Sequence, residues 1–189
     1  MKRIAIFASG NGSNAENIIN YFSTKTTVEI VLILTNNKNA YVVERARNHN
    51  IPCVIFSARE LRETKTVLEN LVKHHVDFVV LAGFMLMVPD YILKAFHGKI
   101  VNIHPALLPK YGGKGMYGDF VHEAVCKSGD NETGITIHYV NEKYDEGEII
   151  FQARCNIFSE DTPATIAAKV HELEYRYYPE IIEKVILNL

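Results

Sequence analysis

The chain has 189 residues, with 20 Lys plus Arg against 22 Asp plus Glu and a formal net charge of −2. That balance gives no electrostatic footing for nucleic acid or a membrane surface, so neither is expected as a partner. Hydrophobic residues make up 48% of the chain and charged ones 22%, the proportions of an ordinary soluble protein with room for one sizeable core.

The elements read in chain order as alternating strands and helices. "RIAIFA" (3–8) is an apolar run expected to form a buried strand, followed by a glycine-rich turn and a helix from about Asn14 to Phe22. "VEIVLILT" (28–35) is a second such run, with a helix across "YVVERARNHN" behind it. "CVIF" (53–56) predicts a short third strand. Residues 60–75, with Leu61, Val67, Leu68, Leu71 and Val72 at roughly helical spacing, predict one helix. "DFVVLAG" (77–83) is a strand, "VPDYILKAFHG" a helix opened by Pro89 and closed by Gly98, and "KIVNIHP" the fifth strand. "GDFVHEAVCKSGD" predicts a helix, and "TGITIHYV" with "GEIIFQARC" a hairpin turning around residues 141 to 147. The long C-terminal helix from "TPATI" onward is expected to kink or break at Pro179.

This pattern predicts an α/β fold: a doubly wound, mostly parallel seven-stranded sheet with an antiparallel hairpin near one edge. No repeat, low-complexity run or composition shift divides residues 1–189, so a single domain is expected. The three cysteines, Cys53, Cys126 and Cys155, are odd in number and widely spaced, giving neither a disulfide framework nor a metal-ligand pair. The apolar stretch behind the basic N-terminus is too short for a signal sequence, and a cytoplasmic location is expected.

Three segments at expected strand ends carry chemistry. In "ASGNGSNAENI", Gly10, Gly12 and Ala15 fit G-x-G-x-x-A between a strand and a helix, where backbone N–H groups bind phosphate. Ser13 and Asn14 add side-chain donors, although either could instead cap the helix. A phosphate monoester suits the loop better than a dinucleotide, because the second strand ends in Asn36 and Asn37 without a carboxylate for a ribose. In "LAGFMLMVP", the stretch Met85, Leu86, Met87 and Val88 can present backbone groups beside an apolar wall, a slot for a flat heterocycle, or can simply pack the core.

In "IVNIHPALLPKYGG", Asn102 and His104 share strand parity, so both side chains reach one face before Pro105 ends the pairing. An amide can donate to a developing oxyanion, and an imidazole can stabilise it or move a proton. A carboxylate partner, Asp145 or Glu146 in the hairpin turn, would raise the imidazole pKa and make activity fall as pH rises. A purely structural Asn–His pair is the alternative. A metal held by His104, His122, His138 and Asp145 finds no ligand spacing on one element, and no metal is expected.

Together, "SGNGSN", "LAGFM", "NIHPALLPKY" and "YDEGEII" resemble the folate-dependent formyltransferases over essentially the whole chain. The N-x-H-P-x-L-L-P segment with a downstream Asp is specific to that superfamily, and the phosphate loop is similar to that of its ribotide-formylating branch. Other branches carry an added C-terminal or N-terminal domain, for which 189 residues leave no room.

The resemblance implies that 10-formyltetrahydrofolate, as co-substrate, formylates the amine of 5-phosphoribosylglycinamide. It implies a catalytic trio of Asn102, His104 and Asp145, with Asn102 donating to the formyl oxygen and a protonated His104 paired with Asp145. It places the ribotide on Asn11, Gly12, Ser13 and Asn14, with its amine on Glu174, a residue otherwise readable as part of a solvated helix face. Folate would lie on Met85, Leu86, Met87, Val88, Asn102, Asn141 and Glu142, with Arg62 near the anionic ends. Residues 1–100 would form the ribotide-binding half and 101–189 the catalytic and folate-binding half, in a monomer or weak homodimer.

Two departures stand out. Leu86 replaces an Arg of several relatives, and "KYGGKGMYGDF" is longer and richer in glycine than the common form. There Lys110, Lys114 and Tyr117 are candidates to meet an anionic tail or phosphate. The rivals are a formyltetrahydrofolate hydrolase and a nucleotide-binding module without chemistry.

Overall fold

The computed structural model describes residues 1–188. Seven strands form one sheet in the order β3-β2-β1-β4-β5-β6-β7. The strands are β1 (Lys2–Phe7), β2 (Val28–Thr35), β3 (Cys53–Ile55), β4 (Phe78–Leu81), β5 (Ile100–His104), β6 (Glu132–Tyr139) and β7 (Ile149–Asn156). The first five pair in parallel, and β6 and β7 form an antiparallel hairpin at the edge, as expected. Chain order reverses between β1 and β4, the switch point beside which open α/β sheets bind ligands.

The apolar runs are continuous because helices cover both faces. Ile4 and Ile6 of β1, with Ala8 just after it, join one core with α1 (Ser13–Phe22), α2 (Val42–Asn48), α6 (Asp119–Ser128) and α7 (Pro163–Leu187). The intervening Ala5 and Phe7 join a second core with α3 (Ala58–Glu63), α4 (Thr66–Lys73) and α5 (Asp90–Ala95).

Two expectations are corrected. The single helix over 60–75 is two helices, because Ser57 and Glu60 form a capping box that starts α3 early and Thr64, extended, ends it. Helix α7 runs through Pro179 without a break. The proline leaves the Tyr175 carbonyl without its helical N–H, and Asn17 Nδ2 of α1 donates to that carbonyl at 2.8 Å. A side chain from a neighbouring helix thus supplies the lost hydrogen bond.

The buried side of α7 has a period of four: Ile166, Val170, Glu174, Tyr178, Ile182 and Ile186 are all buried. The Tyr178 hydroxyl, fully enclosed, donates to Leu81 O at 2.8 Å at the end of β4, and lies 3.4 Å from Val101 O in β5. It fastens α7 beneath the strand ends that carry the site. Tyr178→Phe is expected to lower stability by about 1–2 kcal/mol, because a buried carbonyl loses its donor; chemical denaturation checks this.

Candidate active site

At the switch point the chain opens a cleft of about 560 Å³. It is lined by residues 10–14 after β1, 81–88 after β4, 102–105 at the end of β5 and 113–119 before α6. His122, His138, Val140, Asn141, residues 143–145, His171 and Glu174 complete it. The three segments singled out in the sequence therefore share one wall-to-wall space, and residues from both halves of the chain interleave in it.

The loop after β1 is held in place by main-chain bonds. Ala8 N donates to Leu34 O, Ser9 N to Gly83 O and Val42 N to Gly10 O. Gly12 takes the left-handed conformation at φ 75° and forms the N-cap of α1, with no side chain capping the helix. Ser13 and Asn14 are therefore not caps. The first-turn N–H groups stay open toward the cleft, with the positive end of the helix behind them. Ser9, overlooked in the sequence, accepts from Met85 N at 3.0 Å while donating to Asn36 Oδ1 at 2.6 Å. This bridge sets the start of the Met85–Val88 segment relative to the loop after β1.

Glu174 is buried in the apolar stripe of α7, not on a solvated face. A carboxylate there needs partners. Its Oε2 lies 2.8 Å from His171 Nδ1 and accepts from Asn14 Nδ2 at 2.9 Å. Spending the Asn14 amine on Glu174 leaves the buried Asn14 Oδ1 without a partner. An acceptor beside a carboxylate is suited to an N–H-rich ligand group. The period-four spacing in α7 was the sequence signal that Glu174 faces inward.

At the end of β5, Asn102 is half-buried and His104 buried. His104 Nε2 lies 2.7 Å from Tyr111 O. A carbonyl only accepts, so Nε2 carries the hydrogen and Nδ1 is the open nitrogen. Asp145 Oδ2 stands 3.5 Å from that Nδ1 and accepts from Gly113 N at 2.9 Å. Of the two carboxylates proposed as partners, Asp145 is the one at the imidazole.

His138 was considered only as a metal ligand, yet it completes this group. Its Nδ1 faces Tyr139 O at 2.8 Å and so donates, leaving Nε2 to accept from Asn102 Nδ2 at 3.2 Å. One Asn102 N–H is thereby fixed and the other remains for a ligand. Strand register was the missed signal, since Asn102 pairs directly with His138 across β5 and β6.

Burial lowers the His104 pKa, and the opposing pulls of Asp145 and the Tyr111 carbonyl do not outweigh it. This reverses the direction expected from a carboxylate partner alone. For Asp145, burial acts upward but is outweighed by His138, His104 and the Gly113 N–H, so its pKa is lowered. At neutral pH the pair is a neutral imidazole beside a carboxylate.

Two expected site residues lie elsewhere. Arg62 sits on the exposed side of α3, next to the inward Leu61, and does not line the cleft. Glu142 lines a separate hollow of about 430 Å³ with Asp90, Lys94 and His97, although Asn141 lines both. Lys114 and Tyr117 border the cleft, whereas Lys110 turns away to pair with Asp130 at 3.0 Å. Among the described residues no cluster of His, Cys, Asp and Glu could hold a metal, and no helix is long and apolar enough to cross a membrane.

A family model described as formyl transferase matches residues 2–182. The chain is 40% identical over 187 residues to the chloroplastic phosphoribosylglycinamide formyltransferase of Arabidopsis thaliana, covering 96% of this chain but only 64% of that protein. It is 36% identical over 191 residues to phosphoribosylglycinamide formyltransferase of Bacillus subtilis, with 98% and 95% covered. The crystal structure of phosphoribosylglycinamide formyltransferase from Anaplasma phagocytophilum superposes with a TM-score of 0.91 at 33% identity, over 99% of this chain and 87% of that one.

Proposed function

Since this chain belongs to the formyl transferase family, we propose that it transfers the formyl group of 10-formyltetrahydrofolate to the amine of 5-phosphoribosylglycinamide. The observation that carries this reading is one cleft containing both an uncapped helix N-terminus and the group Asn102, His104 and Asp145. The first suits a phosphate monoester, the second an acyl transfer.

The ribotide phosphate sits on the first turn of α1, with Asn11, Gly12, Ser13 and Asn14 around it. Its amine meets two acceptors, Asn14 Oδ1 and the Glu174 carboxylate, which orient it toward the formyl carbon. The donor's heterocycle lies along Met85–Val88, with Val140 and Asn141 opposite. As the amine attacks, the free N–H of Asn102 donates to the formyl oxygen, where negative charge collects. The amine proton moves to His104 Nδ1, the nitrogen that the Tyr111 carbonyl leaves open, and Asp145 stabilises the imidazolium. Collapse of the tetrahedral intermediate breaks the bond to the folate nitrogen, which takes that proton. The halves do not divide the labour cleanly, since Met85–Val88 serve the folate and Glu174 the ribotide. We further propose a cytoplasmic enzyme, in keeping with its free cysteines, acting as a monomer or weak homodimer.

The test follows folate absorbance with and without the ribotide. Turnover that requires the ribotide and yields the formylated amide supports the transferase. Release of formate without it would establish the hydrolase instead, and tight nicotinamide dinucleotide binding with no folate turnover would establish a binding module.

The pH dependence has a definite sign. A base with a lowered pKa remains neutral to lower pH, so the midpoint of the acid-side fall in kcat/KM should lie below 6.5. Titration of the His104 ring protons by NMR, assigned by their loss in His104→Ala, should show a midpoint below the usual 6.5. A midpoint above that value would reverse the proton's assigned direction.

A further inference from the structure

We infer that Arg45, on α2, is a positioning residue for anion binding: it fixes which way the Asn11 side chain faces. The inference rests on the proposed ribotide reading of this cleft. Arg45 Nε donates to Asn11 O at 2.9 Å and one terminal nitrogen to Asn11 Oδ1 at 2.8 Å, while the other pairs with Glu16 of α1. The guanidinium lies over the Tyr41 ring, 4.9 Å from its centroid, and its side chain is only 16% exposed. His49 approaches the same Glu16 at 3.5 Å from the far side.

All three nitrogens of this arginine are thus bonded to the loop or to α1, its charge is matched by Glu16, and it does not line the cleft. It is therefore not a direct ligand for a phosphate. Its effect follows from having donors and no acceptor. Only an oxygen of Asn11 can face it, so Asn11 Nδ2 is turned the other way, into the cleft that Asn11 lines. The same contact pulls the Asn11 carbonyl back from the cleft, and a carbonyl directed at a phosphate would repel it. Arg45 thereby makes both polar groups of Asn11 compatible with an anion. The loop itself, Gly-Asn-Gly, is otherwise free to present either end of the amide. The planar two-point grip requires a guanidinium, since an ammonium can hold only one of the two oxygens well.

The experiment measures steady-state kinetics of the full chain together with calorimetric binding of inorganic phosphate. Arg45→Ala should raise the ribotide KM about tenfold, the value of one hydrogen bond to a charged group. It should weaken phosphate by a similar factor and leave kcat and the folate KM within about twofold. Arg45→Lys should recover only part of the loss. The double variant Arg45→Ala/Asn11→Ala should lose much less than the product of the two single losses, because the arginine acts through Asn11 and only its hold on the backbone carbonyl survives in Asn11→Ala.

Asn11→Asp probes the orientation without altering Arg45: one oxygen stays on the guanidinium and the other faces the anion. Its ribotide KM should exceed that of Asn11→Ala, even if Arg45→Ala folds poorly. Additive effects in the double variant, an unchanged KM in Arg45→Ala, or equal KM values for Asn11→Asp and Asn11→Ala would overturn the inference. A wild type whose phosphate binding depends on Arg45 and Asn11 in this pattern but that ignores the ribotide would overturn the functional reading alone.

Discussion

Asn102→Ala is expected to lower kcat by about 10²–10³-fold while changing the KM of either substrate little, as for loss of one oxyanion donor. The amide is prepared for this use. His138 Nε2 holds one of its N–H groups at 3.2 Å, while the other ring nitrogen faces Tyr139 O. The remaining N–H is fixed in direction before any substrate arrives, so no reorganisation is needed when charge develops. His104→Ala should cause a loss of similar size, about 10²–10⁴-fold for a positioned proton carrier. The double variant should be much less than multiplicatively worse, since both groups serve one intermediate. Stopped-flow absorbance of the folate product, with both substrates saturating, measures these losses. Full activity in either single variant would remove that residue from the mechanism.

Gly12→Ala is the second large effect, and it should appear in binding. At φ 75° an L side chain is strained, and a β-carbon would stand 2.5 Å from Val42 Cγ2. Val42 cannot simply withdraw, because it is buried in the core and its N–H is bonded to Gly10 O. The loop must move instead, which draws the first-turn N–H groups off the phosphate. Losing one or two such charged hydrogen bonds corresponds to a ribotide KM raised about 10²-fold, with the folate KM nearly unchanged. Gly10→Ala is the contrasting variant: a β-carbon there meets nothing within 4 Å, and φ is not positive. Its effect should be far smaller. Equal KM values for the two variants would show that the loop does not hold the phosphate.

The strands, the order of elements and the edge hairpin were legible in the sequence, because burial on both faces makes a strand a continuous apolar run. The trio Asn102, His104 and Asp145 was legible too, through strand parity and the family motif. One misreading depended on a partner far along the chain and the other on local caps. Pro179 looks like a breaker until Asn17, from a helix 162 residues earlier, supplies the Tyr175 carbonyl with a donor. Residues 60–75 look like one helix because apolar spacing carries across Thr64 and says little about caps.

The site shows the same division. Residue types and their local spacing determined that this chain has a glycine-rich loop before a helix, an amide–imidazole strand end and a carboxylate in the hairpin turn. Only the tertiary structure decided how these groups are charged and aimed. The His104 pKa depends on how much of the fold closes over it, and burial outweighs the pull of Asp145. The orientations of Asn102, Asn14 and Asn11 depend on His138, Glu174 and Arg45, each on a different element. An amide side chain has a donor and an acceptor end of equal size. Which end faces the cleft is set by the partner that occupies the other, and that partner is chosen by packing.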